Sequence, residues 1–220
     1  GGLHGAALIV AAHPEQVRND DVDHSYRQDS NMYYLTGFEE PESFVMIRPG
    51  KNPETVMFVR AKNIERETWD GFRFGPDGTK QEFRIDEVYP IEDFRSKAVE
   101  LLKGYDEVYY SVFKNAEADI LMQHVLTELT RSSGSSGYGL VTIKDADTFL
   151  GEYRLRKDQD DLANQRQACL ISAEAHIAAM KFTKPGVNER QVQAVLSYEF
   201  LMRGSARVGY PYIVASGANA

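Results

Sequence analysis

Cysteine is nearly absent from this sequence. Cys169 stands alone among 220 residues, so no disulfide can form within the chain, and a cytoplasmic location is expected. Long apolar runs are missing too. None approaches the roughly 18 residues of a membrane span, and Gly1-Gly2-Leu3-His4-Gly5 does not open on a basic region followed by an apolar one, so no signal peptide is expected. Positive charge is in short supply: 25 Lys and Arg against 33 Asp and Glu give a net charge of −8. That balance argues against nucleic acid or an anionic membrane as the main partner. The sequence also lacks GxSxG, HExxH, GxGxxG, GK[ST] and any Cys–His cluster of zinc spacing. An acidic run at 19–24 lacks the glycine of a calcium loop and reads as a solvated turn. No internal repeat is evident.

What is present is ordinary globular composition, with 42% hydrophobic and 26% charged residues. Residues 6–12 (AALIVAA) form a short apolar run read as a buried strand. Two further strands, around 44–48 and 55–59, flank the breaker-rich turn PGKNP and form a hairpin. A short helix is expected over 62–70, a loop over 71–84, a brief strand at 88–90 and an amphipathic helix over 91–102. A strand at 107–111, a helix over 116–130 and an extended segment at 140–143 follow. Strands alternating with helices imply a mixed α/β sheet covered by helices. The stretch SSGSSG at 132–137 reads as a linker or loop, and the domain boundary is placed near Gly151, giving domains at 1–150 and 151–220.

The segment 27–41 is the expected anchor of the first domain. Ser30 or Asp29 caps a short helical turn, Gly37 ends it in the left-handed conformation, and Glu40-Pro41 turns the chain into the next strand. Tyr33, Tyr34, Leu35 and Phe38 are expected to anchor the layer beneath, while Arg27 and Asp29 tie the acidic turn to this segment. In the second domain a long helix is expected over 160–182, with Cys169 and His176 as core residues. A helix capped by Asn188 with Gln191 should follow, and then a strand over 209–215.

The run RQDSNMYYLTGFEEPES at 27–43 resembles the signature of the aminopeptidase P (Xaa-Pro aminopeptidase) family. Arg154-Leu155-Arg156-Lys157, AHIAAMKFTKPGVNE and the run 210–219 resemble the opening of that family's pita-bread catalytic domain. The resemblance implies a creatinase/aminopeptidase P-type N-terminal domain followed by an incomplete α+β pita-bread domain. It implies, for an intact enzyme, removal of an N-terminal residue preceding proline, two divalent metals (manganese), and a homo-oligomer. The family's metal ligands and its proton-handling histidine lie downstream of every residue here, so neither catalytic nor metal residues are expected within the chain. Trp69 and Arg154 match family residues near the substrate cleft; the alternatives are a core aromatic for Trp69 and a surface ion pair for Arg154. A non-catalytic binding or oligomerisation module, and creatinase-like amidinohydrolase chemistry, are the competing readings. The strand near 212–215 would have unpaired edges, so this region is expected to be completed by further chain, a partner or a swapped neighbour.

Overall fold

The computed structural model describes residues 3, 5–133 and 142–219. It divides into two compact units, Gly1–Tyr153 and Arg154–Ala220. Most of the serine–glycine stretch lies outside the described residues.

The first unit is a six-stranded mixed sheet between two helical layers. Its strands are β1 (Ala6–Ala11), β4 (Phe44–Ile47), β5 (Thr55–Val59), β6 (Glu87–Pro90), β7 (Glu107–Tyr109) and β8 (Thr142–Lys144), in the order β6-β5-β4-β1-β7-β8. A separate hairpin pairs β2 (Val17–Asn19) with β3 (Val22–Asp23), so the acidic run turns between two short exposed strands. β1 pairs antiparallel with β4 and parallel with β7, placing Leu8 opposite Ile47 and Tyr109. The continuous apolar run of β1 follows from its central place. Ala7 and Ile9 pack into one layer with Phe44, Phe58 and Phe94, while Leu8 and Val10 pack into the other with Met32, Phe38 and Leu150. A strand covered on both faces has no polar positions to spare.

α4 (Phe94–Leu102) and α5 (Ala116–Ser133) cover the first face, entered by a 3-10 turn at Ile91–Asp93 where the sequence predicts a helix from 91. α1 (Ser30–Thr36), α3 (Gly75–Glu82) and α6 (Ala146–Leu155) lie on the second side, where Met32, Ile85 and Leu150 fill the core. α2 (Ile64–Asp70) carries its helix from an Asn63 cap. α3 corrects the loop expected over 71–84. Gly75 and Pro76 sit in its first turn, where neither breaks a helix, and Phe74 and Phe83 flank it, 5.0 Å apart and both against Phe38. α6 was not legible as an element, and Gly151 lies inside it.

α1 follows the expected cap chemistry. Asp29 is the cap, its Oδ1 accepting the amides of Asn31 at 2.8 Å and Met32 at 3.1 Å, and Gly37 closes the helix at φ 70°. The aromatic expectation divides. Phe38 is buried, whereas Tyr33 and Tyr34 are 50% and 40% exposed. A two-turn helix that buries Met32 carries the next two residues about 100° and 200° around its axis, away from the core.

The second unit is a pair of capped helices, α7 (Gln159–Phe182) and α8 (Glu189–Met202). Asn188 and Gln191 form the expected capping box, and Asp158 with Asp161 forms a second. Ala175, Ala179 and Leu196 are the buried contact. Cys169 is exposed, and so is His176, correcting the core placement of both. Apolar residues recur around α7, and of these only Ala175 and Ala179, which face α8, are buried. The strand expected over 209–215 is irregular backbone, followed by a 3-10 turn at Gly217–Asn219. A strand needs a ladder partner, and among the described residues no neighbouring strand is there to supply one.

Candidate functional site

A polar knot gathers at the C-terminal ends of β1 and β7. Lys114 Nζ donates to Asp29 Oδ2 at 2.6 Å and lies 2.9 Å from Asp147 Oδ2. Asn31 donates to Asp147 Oδ1 at 2.8 Å, Ser111 Oγ donates to Asp145 at 2.5 Å, and Asn115 donates to the Ala12 carbonyl at 3.0 Å. Buried Gln28 ties the preceding segment to it: its Oε1 accepts from the His13 amide, Tyr26 OH and the Asp29 amide, and its Nε2 donates to the Glu40 carbonyl. The tie between the anchor and its surroundings therefore runs through Gln28 and Lys114, not through the expected Arg27 and Asp29 contact with the acidic turn. The enclosed space is about 20 Å³, room for a single water. Its carboxylates, lysine and amides are spent on one another, so the knot is a fastening.

Its electrostatics make it acid-sensitive. Burial alone raises the Asp29 carboxyl, but the Lys114 hydrogen bond and the α1 amides outweigh it and hold Asp29 below its ordinary value. Hydrogen bonds from Ser111 and Thr148 draw Asp145 from 3.8 down to about 2. A carboxylate whose folded pKa lies below its unfolded one adds stability above the unfolded value, and that contribution disappears as pH falls through the folded one. The urea midpoint of this unit should therefore fall between about pH 4 and pH 2, and Asp145→Asn should flatten part of that fall. Midpoints at a series of pH values check this; parallel profiles for wild type and variant would contradict it. Lys114 acts at the other end. Desolvation lowers its pKa, its hydrogen bonds to Asp29 and Asp147 raise it further, and the net shift is upward, so its contribution is lost only in strong alkali.

Trp69 and Arg154 lie in different units. Trp69 is 88% exposed near the end of α2, and Ile64 and Phe72 are exposed on the same segment. Lys62 Nζ sits 4.7 Å over the Phe72 ring. Trp69 is therefore no part of the core formed by the described residues. Arg154 is half-buried in the last turn of α6, its carbonyl accepting a 2.6 Å hydrogen bond from Lys157.

The second unit holds a cavity of about 540 Å³ bounded by Ile171, His176, Phe200, Arg207, Tyr210 and Tyr212. His176 Nδ1 donates to the Ser172 carbonyl at 2.8 Å, which fixes its tautomer. Sequence periodicity misplaced this residue because it registers a stripe on α7 without saying whether anything covers it. Among the described residues no three His, Cys, Asp or Glu side chains approach closely enough to hold a metal ion.

Comparison with known proteins accounts for both units. Residues 3–109 match the family model of the aminopeptidase P N-terminal domain, and residues 163–220 match metallopeptidase family M24. The Xaa-Pro aminopeptidase of Escherichia coli K12 is 31% identical over 217 residues, covering 98% of this chain and 49% of that protein. Human Xaa-Pro aminopeptidase 3 is 27% identical, covering 96% and 42%. The solved aminopeptidase PepP of Pseudomonas aeruginosa superposes with a TM-score of 0.91 at 37% identity, over 98% of this chain and 49% of that one. The chain thus spans about half the length of the curated relatives it matches. With the signature segment, the mixed-sheet unit and the M24 segment in the same order as in these relatives, the chain belongs to the aminopeptidase P family.

Proposed function

We propose that this chain is the N-terminal portion of a metal-dependent Xaa-Pro aminopeptidase, which removes the first residue of a peptide whose second residue is proline. One observation carries the reading: both units align, in order and over 98% of the chain, with a solved aminopeptidase at 37% identity. The metal ligands belong to sequence beyond these residues, manganese is the metal of choice, and the whole protein acts in the cytoplasm as a homo-oligomer. The 220 residues alone are inactive. On this reading the apolar faces of α7 and α8, including Leu170, Met180, Leu201 and Met202, are covered by the remainder of the pita-bread sheet.

Trp69 and Arg154 contribute to substrate handling in the whole enzyme, Trp69 as an apolar wall and Arg154 as a charge beside the peptide path. An indole that is 88% exposed contributes little to the fold. Trp69→Ala should therefore leave the unfolding midpoint unchanged while lowering kcat/KM for an X–Pro peptide by about tenfold, the scale of one lost apolar contact.

The test is the intact mass of the natively produced protein, with hydrolysis of an X–Pro peptide in added manganese. A mass near twice that of this chain, with manganese-dependent release of the first residue, supports the reading. A mass equal to this chain's with no hydrolysis overturns it in favour of a non-catalytic binding or oligomerisation module.

A further inference from the structure

Residues 211–215 alternate in burial although their backbone is irregular. Tyr212 and Val214 pack against the Ala175, Ala179 and Leu196 contact of the helix pair. Pro211, Ile213 and Ala215 are exposed, Ile213 at 88%. A period of two is the pattern of a strand with one covered face. Among the described residues no strand lies along either edge of this segment, so no ladder sets its register. A slip by one residue would turn Ile213 toward the helices and Tyr212 and Val214 away from them. Apolar contact alone resists such a slip weakly. Tyr212 stacks on Phe200 with ring centroids 6.0 Å apart, and a stack tolerates sliding.

A pair of directional bonds does not. Glu189 Oε1 accepts the Ser216 amide at 2.6 Å and the Ser216 hydroxyl at 2.9 Å, across 27 positions of sequence. Glu189 is itself well placed to hold them. It is the first residue of α8, directly after the Asn188 cap, where the helix dipole favours a carboxylate. Immediately beyond Ser216 the chain turns through Gly217, at φ 56°, into the last 3-10 turn. We infer that Glu189 is a positioning residue: it pins the register of 211–216 on the α7–α8 pair and so fixes where the chain enters the catalytic half of the enzyme. The inference rests on the functional reading above, in which the metal ligands lie beyond these residues. On that reading a slip here carries into the chain that follows, and a misplacement of about 1 Å at a catalytic centre costs on the order of 10²-fold in rate.

Hydrogen exchange on the 220-residue chain reads the pin directly. Glu189→Ala should speed exchange of the Ser216 amide by about tenfold or more. The α7 amides should be unchanged, because the Ala175, Ala179 and Leu196 contact is untouched. Glu189→Gln keeps an acceptor oxygen while removing the charge from the helix end, so its Ser216 exchange should stay within about twofold of wild type. In the whole enzyme, Glu189→Ala should lower kcat for an X–Pro peptide by about tenfold or more. Ser216→Ala, which loses one of the two bonds, should lower it less, and Glu189→Gln should restore it. Unchanged Ser216 exchange or unchanged kcat in Glu189→Ala, or a Glu189→Gln enzyme as slow as Glu189→Ala, overturns the proposal and leaves the aminopeptidase reading standing. A wild-type enzyme that hydrolyses no X–Pro peptide overturns that reading, and this role with it.

Discussion

Replacing Phe94 by alanine is expected to destabilise the first unit by about 3–5 kcal/mol, the usual cost of emptying a buried aromatic site. Phe94 is fully buried, stacked on Phe44 at 3.9 Å between centroids and edge-on to Phe58 at 5.0 Å. It is where α4 locks onto β4 and β5, and those strands approach it through residues fixed by the sheet register, Phe44 opposite Phe58. The surroundings are therefore poorly placed to collapse into the void. Phe94→Leu retains most of the volume and should lose much less, of the order of 1–2 kcal/mol. Urea unfolding followed by near-ultraviolet tyrosine dichroism measures both, and hydrogen exchange at the β1 and β4 amides reports on this unit alone. A loss under 1 kcal/mol for the alanine variant would show that the core is less tightly packed than its contacts indicate.

The second large effect is expected at Asp29, where Asp29→Ala should cost about 2–4 kcal/mol. The substitution releases two α1 amides and removes one of the two carboxylates that Lys114 bridges. Asp29→Asn separates the contributions, because its side-chain oxygen still accepts from the helix while the charge facing Lys114 is gone. Its cost should be about half that of alanine. Lys114→Met alone leaves the Asp29 carboxylate, 7% exposed, without its cation, a situation that costs more than removing both partners. The Asp29→Asn, Lys114→Met double variant should accordingly be more stable than the sum of the single losses implies, and a double-mutant cycle reads that coupling. Additive losses would mean that the ion pair contributes nothing beyond its separate hydrogen bonds.

Fold class was legible because its signals are local and repeated. The apolar run 6–12, the hairpin turn at 49–53 and the helical spacing over 94–102 each declare an element without reference to the rest of the chain. The cap of α1 was legible for the same reason, since Asp29, Ser30 and Gly37 are punctuation. α3 and α6 were not. Gly75-Pro76 reads as a breaker until Phe74 and Phe83 are seen seated on Phe38, and Gly151 concealed a helix held by Ala146 and Leu150 in the second core. The candidate residues divide in the same way: Trp69 and Arg154 rest on resemblance to a family motif alone, whereas the Lys114 knot joins residues 85 and 33 positions apart, and no local pattern in the sequence marks it.

The sequence by itself determined the α/β class, the capped helices, the absence of a disulfide and the family signature, since each is written in neighbouring residues. Only the tertiary structure decided which apolar stripe is covered. Periodicity placed Cys169 and His176 in the core of α7, whereas packing against α8 buries Ala175 and Ala179 and leaves Cys169 and His176 exposed. Burial depends on what stands opposite a residue, and a linear pattern carries that information only when the facing element is present. The backbone of 209–215 shows the same dependence: it has strand-forming residues, but a strand exists only where a second strand accepts its hydrogen bonds.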